Sequence, residues 1–310
     1  MGTVSKRHDR VTRNVGGVLS STLKISLVVP TYNRPRLLYR ALYTLLHQNA
    51  SNYEVIVLND DDLGVHMETE KVCAEFDAQG MPIRCFYTGK YKRGFGWSVE
   101  TYPYNVGIRM AVGDIIILNS GDVMSVTNTI AEHRQRHTNR INDKLVVLST
   151  VHGLHEDVIS SIDNYPWKDN PESLLFEGSC EFMYCGKGKS YAKDRTKEGL
   201  YVESLRPYHY QMSVSKKVLH YLRGFDEDFY GRMGGGDDDL ACRLIRHKCK
   251  IVYDPDILAI HQWHPQFEVF AQINDASYIR PSEYWEQVAQ FNMDVVRNKN
   301  HEWGQFPRNI

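Results

Sequence analysis

Residues 24–46 read KISLVVPTYNRPRLLYRALYTLL, a strand, a polar turn and a helix in succession. Lys24–Val29 is a short β-branched run stopped by Pro30, the pattern of a buried strand. After the polar turn Thr31–Arg34, residues Leu37, Leu38, Ala41, Leu42, Leu45 and Leu46 recur at helical spacing. The same order of strand, loop and helix continues outward. Tyr53–Leu58 (YEVIVL) predicts a second strand ending in Asn59, Asp60, Asp61 and Asp62, and Pro82–Tyr87 a third after an intervening helix. Ile115–Leu118 (IIIL) predicts another, behind a helix over Tyr104–Val112, and it ends in Asn119, Ser120, Gly121 and Asp122. Alternating strands and helices imply an α/β class with a parallel sheet. Ligands of open α/β sheets bind beyond the carboxyl ends of the strands, so Thr31–Arg34, Asn59–Asp62 and Asn119–Asp122 are expected to line one crevice. Asp61 and Asp62 read as solvated turn residues.

Composition narrows the class further. A chain of 310 residues fits one large domain with embellishments, or two closely packed. With 42% hydrophobic and 24% charged residues, fibrous and disordered classes are excluded. The net charge of -1 leaves no global field toward nucleic acid or anionic membrane, so there is no strong nucleic-acid signature. Six scattered cysteines, with C-x4-C and C-x6-C spacings unlike zinc knuckles, read as small hydrophobes in a reducing compartment. No apolar run has signal-peptide or membrane-span character, and a cytoplasmic location is expected.

Residues 1–22 form a polar N-terminal arm, and the folded domain is expected over 23–265. From His152 to about Tyr210 the periodicity weakens, which predicts long loops or a variable insertion suited to acceptor recognition. Order returns with Ser213–Leu222, a turn around Gly224, the glycine run Gly234–Gly236, a helix from about Asp237 to His247 and a strand near Lys250–Tyr253. Residues 266–310 are expected to form a helical C-terminal extension. Gly94 and Gly96 lack the third glycine of a dinucleotide fingerprint, and Met183 stands where a phosphate loop ending in Gly188, Lys189 and Ser190 requires glycine. Nucleophile elbows and zinc-protease motifs do not occur.

What remains is Thr31-Tyr32-Asn33-Arg34 and the run Asn105-x-Gly107-x3-Ala111-x-Gly113-Asp114, followed by the strand and Asn119-Ser120-Gly121-Asp122. Together these segments resemble the N-terminal half of the family 2 glycosyltransferases. A second match, Gly224-Phe225-Asp226-Glu227 with Gly234-Gly235-Gly236-Asp237-Asp238-Asp239-Leu240, is similar to the G-G-E-D-D-D-L segment of galactosyltransferases and chondroitin polymerases. The resemblance implies an α/β GT-A fold: a Rossmann-like, mostly parallel sheet flanked by helices in a single large domain. Its nucleotide-binding half would cover 23–150 and its acceptor and catalytic half 151–265.

The resemblance also implies roles. Thr31, Tyr32 and Arg34 would lie near base and ribose, Asp60 at uracil, Asn105 and Arg109 near the diphosphate or ribose, and Asn119, Gly121, Gly235 and Gly236 along the sugar nucleotide. A strand-end carboxylate such as Asp60 can accept the uracil ring N–H. Asp237 falls where relatives keep the general base, and glycines before it allow close backbone approach to a sugar. Asp237, Asp238 and Asp239 also suit a helix N-terminus, and Asp239 with Arg243 a helix ion pair. Asn119 and Gly121 occupy the D-x-D positions, leaving Asp122 as the metal carboxylate with His261 opposite it and His264 as the substitute ligand. Gly236 stands where relatives carry Glu. The loop Lys90–Trp97 is expected to fold over donor or acceptor.

The reading is a metal-dependent inverting glycosyltransferase using Mn2+ or Mg2+ and a UDP-sugar. Its acceptor is a glycan, a lipid-linked sugar, a protein or a modified nucleobase. The alternatives are a non-catalytic sugar-nucleotide or glycan binding protein, and a nucleotidyltransferase.

Overall fold

The computed structural model describes residues 23–89, 101–138, 144–184, 210–227 and 236–264. Strand β1 (Ile25–Thr31) leads into helix α1 (Pro35–Leu46), which opens on Pro35, whose missing N–H costs nothing at a first helical position. β2 (Tyr53–Asn59), α2 (His66–Ala78) and β3 (Ile83–Tyr87) follow, then α3 (Thr101–Met110), β4 (Ile115–Leu118) and β5 (Val123–Ser125). The second half contains α4 (Thr129–Thr138), β6 (Leu145–Leu154), α5 (Glu156–Ser160), β7 (Cys180–Tyr184), β8 (Met212–Ser215), α6 (Lys216–Tyr221), α7 (Gly236–Arg246) and β9 (Lys250–His261).

One sheet collects the strands in the order β3-β2-β1-β4-β8-β6-β9-β5, with β7 paired to β6. β3, β2, β1 and β4 are mutually parallel; β8 enters antiparallel between β4 and β6, and β9 runs parallel to β6. α1 and α2 cover one face through Leu38, Leu42, Leu45 and Phe76. α3, α6 and α7 supply Tyr104, Ile108, Leu219, Leu240 and Leu244 to a core that also contains Val28 and Ile56. The chain order reverses at β1, with β2 on one side and β4 on the other. The topological switch point, where open sheets hold ligands, therefore lies between the carboxyl ends of β1 and β4.

The opposite, amino-terminal ends of these strands are locked. The buried Glu54 carboxylate accepts hydrogen bonds from Ser26 Oγ (2.6 Å), Val112 N–H (2.8 Å) and Arg84 (2.6 Å). Gly113 lies so close to β1 that a Cβ there would stand 2.7 Å from Ser26 N, and Asp114 accepts the N–H of Lys24. A Cβ at Gly107 would stand 2.3 Å from Val28 Cγ1, so glycine is what lets α3 sit on the sheet.

Two sequence expectations change. The region after His152 is not only loop: β6 runs to Leu154, and α5, two 3-10 turns and β7 follow. Trp167, Leu154, Leu174, Met124 and Ile260 form a core of their own there. The last strand does not stop at Tyr253. Ser149 pairs with Asp254 but Thr150 pairs with Leu258, so residues 255–257 bulge and the strand resumes through His261. The N-terminal arm, the loop Lys90–Trp97, Gly234 with Gly235, and the extension 266–310 lie outside the described residues.

Candidate active site

β5 pairs antiparallel with the resumed end of β9, setting Val123 opposite His261. That register brings Asp122, immediately before β5, to the histidine. His261 Nε2 lies 3.6 Å and His264 Nε2 3.3 Å from Asp122 Oδ2. Ligand atoms of the three residues all fall within 4.8 Å of one another. Arg34 adds a third contact to the same oxygen, at 2.8 Å.

Asp122 is 4% exposed. Its burial, the largest influence, favours the neutral acid, but the imidazoles of His261 and His264 and the Arg34 guanidinium outweigh it and hold the carboxyl well below its ordinary pKa. Its other oxygen, Oδ1, is buried with no hydrogen-bond partner among the described residues. Thr31 Oγ1 and Asn119 Oδ1, at the carboxyl ends of β1 and β4, are in the same condition. Buried oxygens of this kind are costly unless something completes them. One carboxylate oxygen and two imidazole nitrogens are a donor set that suits a divalent ion such as Mn2+, so the residues fit the metal expected here.

Around this centre the expected residues divide. Gly121 packs against the end of β1, where a Cβ would meet Thr31 Cβ at 2.8 Å, and its N–H donates to Pro30 O. Asn119 is buried; its Nδ2 donates to Ser120 O at 2.8 Å. Asp60 is buried at the end of β2, accepting the Thr88 hydroxyl at 3.1 Å. Tyr32 gives its hydroxyl to Asp62 at 2.9 Å, and Arg34 donates to Asp122 at 2.8 Å.

Asp61 and Asp62 are not solvated turn residues. Asp61 is fully buried, accepting Asn33 N–H (2.5 Å) and the Thr69 hydroxyl (2.6 Å), and Asp62 accepts Asn33 Nδ2 (2.7 Å) while its own N–H donates to Asn33 Oδ1. These bonds hold Asn33 at φ 51°, a left-handed conformation Asn tolerates, and so shape the turn carrying Arg34.

Asn105 and Arg109 lie on α3. Asn105 Nδ2 donates to Phe225 O (2.8 Å) and Glu227 Oε1 (3.0 Å), and its Oδ1 accepts Phe225 N–H (2.7 Å). This amide clamps the Gly224–Glu227 turn to α3. Arg109 is exposed in the last turn of α3, near His220 and the locked strand ends, away from the switch point.

Gly236 and Asp237 open α7, with Asp237 partly exposed at the helix N-terminus. Asp239 is committed elsewhere: buried with Arg243 at 2.7 Å, as its helix spacing predicts. Sequence reasoning missed two neighbours of the centre. Gln262, fully buried, donates its N–H (3.0 Å) and Nε2 (3.3 Å) to the backbone carbonyl of Asp122. The Tyr210 ring meets His261 edge-on, with centroids 5.1 Å apart. Gln262 adjoins His261 in the run IHQWH, a usable signal; nothing in the local sequence marked Tyr210.

The family described as "Glycosyl transferase family 2" matches residues 26–152, from β1 through β4 and Asp122 into β6. The chain is family 2-like, with a GT-A fold. This family 2-like chain is 28% identical over 275 residues to an uncharacterized glycosyltransferase, YfnE, of Bacillus subtilis strain 168, covering 78% of this chain and 66% of the relative. It is 26% identical over 241 residues to a validoxylamine A glucosyltransferase of Streptomyces hygroscopicus subsp. jinggangensis, covering 74% and 53%. The chain thus spans between about half and two thirds of these relatives' lengths. The solved structure of GalNAc-T7 with UDP, GalNAc and Mn2+ shares the fold at a TM-score of 0.60 and 10% identity, over 89% of this chain and 50% of that one.

Proposed function

We propose that this family 2-like protein transfers a sugar from a nucleotide sugar, a UDP-sugar, to an acceptor hydroxyl with inversion. The reading is carried by Asp122, a buried carboxylate whose Oδ1 has no described protein partner, meeting His261 and His264 beside the switch point. Named glycosyltransferases among the relatives, and a fold neighbour solved with UDP and Mn2+, support it.

Asp122, His261 and His264 would hold Mn2+ or Mg2+, which supplies Lewis-acid neutralisation of the leaving diphosphate. Residues 23–150 bind the nucleotide, with Asp60 accepting the uracil N–H and Thr31, Asn119 and Gly121 forming the floor. Residues 151–265 orient the acceptor. Asp237 takes the proton of the acceptor hydroxyl; that oxygen bonds to the anomeric carbon as the bond from carbon to diphosphate oxygen breaks. One in-line displacement inverts the centre. The ion pair of Arg34 with Asp122 favours one other reading, a sugar-nucleotide binding protein in which the arginine alone balances the carboxylate.

The test is UDP release from a panel of UDP-sugars with Mn2+, Mg2+ or EDTA. Metal-dependent release, lost in Asp122→Ala, is the expected result. UDP-sugar binding indifferent to metal, with no release from any donor, would transfer the argument to the binding protein.

A further inference from the structure

We infer that Arg34 and a divalent ion compete for the Asp122 carboxylate, and that a nucleoside diphosphate relieves the competition by taking the Arg34 guanidinium as its own partner. The inference rests on the metal reading above and adds to it an order of binding.

Three nitrogens crowd one oxygen. Arg34, His264 and His261 all address Asp122 Oδ2, at 2.8, 3.3 and 3.6 Å, while Oδ1 has no described partner. A guanidinium within hydrogen-bond distance of a carboxylate supplies the positive charge that the carboxylate would otherwise take from a cation. A dication bound by the same group meets the guanidinium at a few ångströms in a buried setting, where screening is weak and like charges repel. Arg34 should therefore weaken metal binding for as long as it stays on Asp122.

The position of Arg34 makes it displaceable. It caps the N-terminus of α1 with its backbone, at the positive end of the helix, and the first turn of α1 contains no acidic residue. A cation there is disfavoured by the helix dipole and gains from any additional anion. The side chain is 16% exposed, against 5% for Asp122, so it is the more accessible partner of the pair. Guanidinium presents a planar fork of donors that fits phosphate oxygens, a pairing at least as good as the single bond made to Asp122. A diphosphate in the crevice would draw Arg34 off Oδ2 and leave the carboxylate to the metal. Linkage then requires metal and nucleotide to raise each other's affinity.

The experiment measures Mn2+ binding by the paramagnetic resonance signal of the free ion, with and without UDP, corrected for the UDP–Mn2+ complex formed without protein. Wild type, Arg34→Ala, Arg34→Lys and the double variant Arg34→Ala/Asp122→Asn are compared. Without UDP, Arg34→Ala should bind Mn2+ about tenfold more tightly than wild type, and the enhancement caused by UDP should shrink by the same factor. Arg34→Lys, which keeps the charge, should stay near wild type, and the double variant should lose the gain. Misfolding cannot produce tighter binding. Wild type that binds Mn2+ with UDP, beside Arg34→Ala that binds Mn2+ alone no better than wild type, would overturn the competition and leave the metal site standing. No Mn2+ binding by any variant, even with UDP, would overturn both together.

Discussion

Gln262 holds Asp122 by the backbone while Arg34, His261 and His264 hold it by the carboxylate. Because Gln262 also donates to Leu37 O at 3.0 Å, it ties the end of β9 to α1 and fixes the loop before β5. Outer partners of this kind orient metal ligands, so Gln262→Ala should lower Mn2+ affinity about 10–100-fold with Asp122 intact. Titration of Mn2+ with the variant checks this; unchanged affinity would reduce Gln262 to packing. Asp237 is judged by a different readout. Asp237→Asn should lower kcat about 10²–10⁴-fold while UDP and Mn2+ binding stay as in wild type. An unaffected kcat would leave Asp237 as a helix-terminal carboxylate and no more.

At the scale of elements, the run from Asn105 to Asp122 that marks the family is mostly scaffold. Asn105 clamps the turn before α7, Gly107 and Gly113 let α3 and the following turn approach β1, and only Asn119–Asp122 reach the crevice. Spacing alone could not separate these tasks, since close packing and close ligand approach both select glycine and short polar residues. Gly107→Ala should cost about 1–3 kcal/mol of stability by urea unfolding, because its Cβ overlaps Val28; an unchanged midpoint would contradict that packing.

Helix α4 was invisible to periodicity for a physical reason. Its buried face is Thr129, Ile130, His133 and His137, and only one of the four is apolar. His133 bridges Ser213 Oγ (2.8 Å) and Ser149 Oγ (3.0 Å), and His137 also meets Ser213. Burial, the largest cause, pushes His133 down to about 3 and His137 to about 4. Both are neutral in the fold, whereas the unfolded chain takes up protons near 6.5. Their contribution is therefore complete above pH 6.5 and is lost as pH falls toward 4 and 3, on the order of 2 kcal/mol per histidine at pH 5. The melting temperature should drop between pH 7 and pH 5, and drop less in His133→Asn/His137→Asn. Equal pH dependence in both proteins would contradict this assignment.

Over the whole molecule, what was legible is the half where one residue pattern means one structure. KISLVV, YEVIVL and IIIL are the buried parallel strands they read as, and the polar clusters after them do meet at the strands' carboxyl ends. The far half was less legible because its strands need non-local partners. In sequence β9 reads as ending near Tyr253, before Asp254-Pro255-Asp256, yet the bulge there lets it resume beside β6 and carry His261 to Asp122, 139 positions away in sequence number. His261 and Asp122 could be named from resemblance; the Arg34 contact and the Gln262 brace required the folded chain. These contacts meet at one place, the Asp122 carboxylate immediately before β5. Anomalous scattering from Mn2+ in crystals grown with UDP tests it most directly. A peak is expected within coordination distance of Asp122 and of His261 or His264, with the diphosphate between the ends of β1 and β4. UDP seated in that crevice with no Mn2+ peak at Asp122, or a peak held by other residues, would contradict it.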